Sequence, residues 1–232
     1  MKAWKCQNLW LVLCMGIVST FTQATLAEPS VHDPRVFEDP QPLVAEKIDE
    51  LIRRLRENAE KIRTDQSIAY QISDELMTPY IDFPRITRLV IGKYWKTASP
   101  AQQQQLIEEI KALLVRSYVS AMTSYVDDIV ALADKQAITY LPSRYQTGDK
   151  KASVRANIAL EGGQLADVQY QLYYRDEWKI YDIRIEGISL AITYRTSFGE
   201  QIKRDGLDRL IAQLAERNRK GEVELPTSLK SQ

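Results

Sequence analysis

Residues 153–186 read SVRANIALEGGQLADVQYQLYYRDEWKIYDIRIE, and here apolar side chains pass from helical spacing to alternation. Val154, Ala156, Ile158 and Leu160 occupy every second position, which puts them on one face of a strand. Glu161-Gly162-Gly163-Gln164 supplies the residue types of a hairpin turn. Val168, Tyr170, Leu172 and Tyr174 alternate again, and after a turn at Asp176-Glu177 so do Tyr181, Ile183 and Ile185. With a first strand over 136–141, sequential strands and short turns predict an antiparallel meander of about four strands.

Upstream the period is helical. From Leu43, Val44, Ile48, Leu51, Ile52, Leu55, Ala59 and Ile62 recur at three and four, with Arg53, Arg54, Arg56 and Glu57 on the other face. A shorter helix is expected over 67–77, stopped by Pro79. Asp82 is placed to cap the next helix, with Pro84 in its first turn. Ser99-Pro100-Ala101-Gln102 is a capping box with proline at the first helical position. The helix it opens is expected to reach about Val130. Its apolar residues, Leu106 through Ile129, cover more than one stripe, as in a helix buried on most sides or lining an apolar cavity. Downstream, helices are expected at about 189–204 and 207–219. Helices, then one sheet, then closing helices give an α+β fold with helices on one face of the sheet. A curved sheet so wrapped commonly forms a cone with an interior cavity.

The amino terminus has a different character. Lys2 and Lys5 precede an apolar run from Leu9 to Val18, and Thr22, Ala24, Thr25 and Ala27 supply small residues. This is the pattern of a cleavable signal peptide over 1–27, too short to span a membrane. Its removal would leave 205 residues with net charge −2 and no cysteine, because Cys6 and Cys14 both lie within it. Cysteine-based metal and redox chemistry are thereby excluded. Residues 28–42 hold four prolines and the sole histidine, His32, and read as an extended Pro-rich leader. A single domain over 43–220 and a polar tail over 221–232 complete the chain.

The balance of 31 basic and 31 acidic side chains excludes nucleic-acid binding through bulk positive charge. No phosphate-binding glycine loop, nucleophile elbow or metal-binding helix motif is present, and no metal or cofactor is expected. Asp182 and Arg184 share the strand face opposite Tyr181, Ile183 and Ile185. An acid inside a cone-shaped fold can act as a general base; pointing outward, the two form a solvated or salt-bridged pair. Asp127-Asp128 reads as a helix end. If the long helix and the strand faces all point inward, their apolar side chains converge on one volume, either a filled core or a dry hollow without charged lining. Such a hollow suits an acyl chain, since burying about 15 methylenes is worth roughly 12 kcal/mol.

One stretch carries a resemblance. Residues 178–190, WKIYDIRIEGISL, running into Thr193-Tyr194-Arg195-Thr196-Ser197-Phe198, closely resemble the signature of the MlaC, or toluene-tolerance, family of periplasmic phospholipid-binding proteins. Leu89-Val90-Ile91-Gly92-Lys93-Tyr94-Trp95 and Ala98-Ser99-Pro100-Ala101-Gln102 are similar to its second signature. The resemblance implies an NTF2-like cone, a four-stranded sheet wrapped by helices around an apolar cavity. It implies a non-enzymatic carrier that takes acyl chains inside and leaves the head group outside. The carrier would maintain outer-membrane lipid asymmetry by shuttling phospholipid between an outer-membrane lipoprotein–porin complex and an inner-membrane ABC transporter with an MCE-domain subunit.

Strand parity and helix spacing name Met122, Ile129, Val168, Tyr170, Leu172, Tyr181, Ile183, Ile185 and Ile188 as acyl contacts, each equally compatible with plain core packing. Gly187 and Gly199 are the expected pivots of the closing helices. Two other functions fit the residues: an NTF2-like enzyme using Asp182, and an envelope protein-binding adaptor with a filled core.

Overall fold

The computed structural model describes residues 37–127, 129–130, 137–159 and 164–222. The expected signal peptide, most of the leader, the turn residues 161–163, Asp128 and most of the tail lie outside them. Asp39 accepts a hydrogen bond from the Gln41 N–H at 2.9 Å and caps α1 (Pro40–Glu57), with Pro40 at its first position. The helix therefore starts inside the stretch expected to be an extended leader. Phe37 holds this start against the sheet, stacking on Tyr174 at 3.8 Å and meeting Trp178 edge-on. Trp178 Nε1 donates to the Glu38 carbonyl at 2.9 Å, and the Tyr145 hydroxyl donates to that of Phe37 at 2.5 Å.

The single long helix expected over 43–62 is two, α1 and α2 (Ala59–Thr64). Asn58 breaks them by turning its side-chain amide back onto the Arg54 carbonyl at 2.9 Å, the local competition with helix that makes Asn a boundary residue. Next come α3 (Ser67–Leu76), a 3₁₀ turn (Thr78–Tyr80) and α4 (Phe83–Ile91). The Asp82 side chain accepts from the Arg85 N–H, as its position before Pro84 predicts. A second 3₁₀ turn (Gly92–Lys96) leads to α5 (Pro100–Ser124). There the Ser99 side chain accepts from the Gln102 N–H while the Gln102 side chain accepts from the Ser99 N–H. Tyr125 ends α5 six residues before its expected limit is passed, and helical backbone resumes only at 126–127 and 129–130.

Five strands follow in sequential order: β1 (Ile138–Tyr140), β2 (Lys151–Ala159), β3 (Leu165–Tyr174), β4 (Trp178–Ile185) and β5 (Ile188–Ser189). All neighbours pair antiparallel, so the α+β meander is as expected, with a two-residue fifth strand added. Helices α6 (Leu190–Asp205) and α7 (Leu207–Lys220) close the chain. Gly187 lies in a turn at φ +76°, whereas Gly199 lies inside α6 and interrupts nothing.

The buried side chains form three clusters, and the apolar stripes of α5 divide between two of them. Leu106, Ile110 and Leu113 pack with α4, α6 and α7. Val119 and Met122 pack with Leu55, Ile62, Ala69, Ile72 and Val126. A third cluster joins Val44 of α1 to Val154, Leu172 and Trp178 of the sheet. Burying one such side chain stabilises by roughly 1.5–3 kcal/mol. No helix among the described residues is long and apolar enough to cross a membrane.

Two glycines make opposite predictions. Gly92 ends α4 at φ +58° and ψ −127°, and a Cβ there would lie 2.7 Å from Arg195 Nε. Gly92→Ala should cost about 1–3 kcal/mol in urea unfolding. Gly199→Ala meets nothing within 4 Å and should stabilise by about 0.5–1 kcal/mol. A neutral Gly92→Ala would contradict the strain ascribed to that position.

Candidate functional site

The inward sheet face is set by register. Val154 opposes Tyr170 and Ala156 opposes Val168 across β2–β3. Across β3–β4, Val168 opposes Ile185 and Tyr170 opposes Ile183, but Leu172 opposes Ile180 rather than Tyr181. Tyr181 is an extra residue, a β-bulge that shifts the pairing between Gln171 and Leu172. Strict alternation put Tyr181 with Ile183 and Ile185; the bulge adds Ile180 to that face, and Trp178 follows Ile180 onto it.

The bulge also anchors two helices. The Ile180 carbonyl accepts from the Asp82 N–H at 2.8 Å, fixing the start of α4, and Ile81 bridges to Ile180. Asp182 Oδ1 accepts from the Ala191 N–H at 3.1 Å, and the Ser189 side chain accepts from that of Ile192 at 3.1 Å, so α6 starts doubly capped.

Two partly open apolar pockets lie between the sheet and these helices. The larger, about 360 Å³, is bounded by Phe83, Ile86 and Val90 of α4, Leu114, Tyr118 and Ala121 of α5, Tyr194 of α6, and Tyr181 and Ile185 of the sheet. The smaller, about 170 Å³, lies under α1, between Leu43, Ile48 and Leu51 and the sheet residues Tyr170, Leu172 and Trp178. Met77, Ile81, Ile180 and Ile183 line both and form an apolar partition between them.

The sequence matches the MlaC protein family over residues 45–216. The chain belongs to the MlaC family. It is 26% identical over 194 residues to the toluene tolerance protein ttg2D of Pseudomonas putida, covering 83% of this chain and 82% of that one. It is 22% identical over 212 residues to the intermembrane phospholipid transport system binding protein MlaC of Haemophilus influenzae, covering 88% and 91%. The structure of a phospholipid-binding protein from Ralstonia solanacearum, in complex with a phospholipid, superimposes with a TM-score of 0.64 at 30% identity, covering 79% of this chain and 99% of that one.

Of the nine contacts expected for this MlaC-family chain, Tyr170, Leu172, Tyr181, Ile183 and Ile185 line the pockets. The other four do not. Met122 is buried in the α3–α5 cluster and Ile129 packs against that cluster. Val168 is buried in the sheet between Ala156 and Ile185. Ile188 is 38% exposed in β5, because the chain turns at Glu186-Gly187 before it. Alternation missed Ile180 and Trp178 because of the bulge. It missed Met77 and Ile81 because they flank a 3₁₀ turn with no repeating period.

Two charged groups reach walls expected to hold none, Lys47 at the smaller pocket and Asp182 at the larger. Asp182 is 8% exposed, contrary to the outward, solvated placement expected from parity; Arg184 is exposed, its Nε 3.8 Å from Asp182 Oδ2. A carboxylate at a helix N-terminus is favoured by the helix dipole and by the N–H it receives, so Asp182 holds α6 in place. Asp127 pairs with Arg63, and no group that could hold a metal ion occurs among the described residues.

Asp182→Ala should leave the Ala191 N–H buried and unpaired and destabilise by about 1–3 kcal/mol. Asp182→Asn keeps an acceptor and should lose less; equal losses would contradict the capping role. Burial pushes the Tyr170 phenol up to about 12 and raises that of Tyr140, whose buried hydroxyl has no hydrogen-bond partner among the described residues. Both favour the neutral form; for Tyr170 the stabilisation is complete below the unfolded value of about 10 and lost as pH rises through about 12. Tyr170→Phe should flatten the fall in stability between those values, and an unchanged slope would contradict it.

Proposed function

We propose that this protein is a periplasmic phospholipid carrier, exported through the signal peptide over 1–27, that holds acyl chains in the two adjoining pockets and leaves the head group outside. The observation that carries the reading is the apolar partition shared by the two pockets. Met77, Ile81, Ile180 and Ile183 have no polar group to desolvate, so parting them around a hydrocarbon chain exchanges one apolar contact for another. Each methylene moved from water into such surroundings contributes about 0.8 kcal/mol, which lets a chain be held in water. The family assignment and the phospholipid in the Ralstonia solanacearum protein point the same way.

In this reading the donor and acceptor are the outer-membrane lipoprotein–porin complex and the inner-membrane ABC transporter with its MCE-domain subunit, and the transport maintains outer-membrane lipid asymmetry. In the same reading the protein is a carrier and not an enzyme, and Asp182 serves to hold the start of α6. Turning at Gly187 would let α6 swing on the sheet and admit the chains.

Solvent extraction of the purified protein followed by lipid mass spectrometry should recover phospholipid. Ile183→Asp puts a charge on the shared partition and should lower the recovered lipid at least about tenfold while the far-ultraviolet circular dichroism is retained. Absence of lipid from the wild-type protein, with no uptake from vesicles, would overturn the proposal.

A further inference from the structure

The two segments that carry the family resemblance meet outside the apolar pockets. Helix α6 is two-sided: Leu190, Ala191 and Tyr194 line the larger pocket, while Ile192, Arg195, Thr196, Gly199 and Lys203 fall along the opposite face. That face, the end of α4 at Ile91 and the following 3₁₀ turn at Lys93 and Tyr94 line a surface basin of about 440 Å³.

Two glycines give the basin its shape. Gly199 places no side chain on its floor, between Arg195 one turn before and Lys203 one turn after. Gly92 lets the Arg195 guanidinium lie directly against the backbone, where any Cβ would come within 2.7 Å of Nε. The glycine thereby leaves room for the arginine at the edge of the basin. Among the described residues Lys93, Arg195 and Lys203 form no ion pair, and Glu200 is the one acid on the lining. Surface cations on this protein elsewhere are commonly matched, as Arg53 is by Glu50 and Glu57 and Arg219 by Glu216. Three unmatched cations around one concavity leave a local positive potential.

We propose that this basin is a binding site for a phosphate ester, distinct from the acyl pockets. The guanidinium fork suits phosphate oxygens, the two lysines add charge from either side, and the Thr196 hydroxyl lies on the same lining. Ile192, 52% exposed, and Tyr94 give it an apolar rim that a bare inorganic ion would not use and a glycerophosphate would. The phosphate chemistry is shared by a phospholipid head group at a membrane surface and a soluble phosphate ester.

Backbone-amide NMR titrations of the full protein with inorganic phosphate and with glycerophosphoglycerol test it, alongside sedimentation with phosphatidylglycerol and phosphatidylcholine vesicles. Each uses the wild type and an Arg195→Gln/Lys203→Gln variant. Both soluble probes should shift amides at 92–94 and 195–203, and the variant should bind at least about tenfold more weakly. Loss of phosphatidylglycerol-vesicle binding in the variant would make the membrane head group the source; unchanged vesicle binding would make it a soluble ester. No shift with either soluble probe, or equal shifts in both proteins, would overturn the site. Lipid extracted from the same samples should be equal in the two proteins, and its absence from both would count against the acyl pockets and leave the basin standing.

Discussion

One extra residue in β4 organises the region between sheet and helices. Because Tyr181 is an extra residue in β4, Ile180 joins Ile183 on the inward face, and Tyr181 borders the larger pocket beside them. The Ile180 carbonyl is free to receive the Asp82 N–H, and Asp182 turns to the Ala191 N–H. Within four residues β4 thus provides two members of the partition, Ile180 and Ile183, the anchor of α4 at Ile180 and the anchor of α6 at Asp182. The helix starts cannot move independently of the strand whose side chains they cover.

That coupling explains how an apolar hollow persists in a protein whose other apolar surfaces are closely packed. Two clusters around α5 are filled by Leu106, Ile110, Leu113, Val119 and their partners. The start of α1 is held down by the aromatic group of Phe37, Tyr145, Tyr174 and Trp178. Between these fixed points, α1, α4 and α6 rest on the sheet at their starts and stand over the pockets along their lengths. The acid at the pocket wall already receives an N–H, so it adds a mechanical link where an unpaired charge would oppose an acyl chain.

The fold was legible wherever local chemistry repeats or punctuates. Asp82 and Ser99 announced their helices through capping residues alone, and alternation in β2 and β3 placed Val154, Val168, Tyr170 and Leu172 on one face. Legibility failed where one residue resets the period. Counting puts Tyr181 at the pocket, where it does line the wall, but only cross-strand pairing reveals that Ile180 joins it there. Asp182 likewise reads as outward, although its hydrogen bond to Ala191 spans a turn that counting cannot see. Asn58 interrupts an apolar stripe that continues unbroken through Ile62. Periodicity is also blind to volume: Met122 and Leu114 lie on one helix with similar spacing, and only packing decides that the first fills a core and the second borders a pocket.

The most direct test of the acyl-pocket account is photo-crosslinking with a phospholipid carrying a photoreactive group near the end of an acyl chain, mapped by peptide mass spectrometry. The account predicts adducts on pocket-lining segments on both sides of the partition, at 43–51 or 170–172 and at 83–90 or 114–121. Adducts confined to exposed surfaces, with none on either pocket, would contradict it.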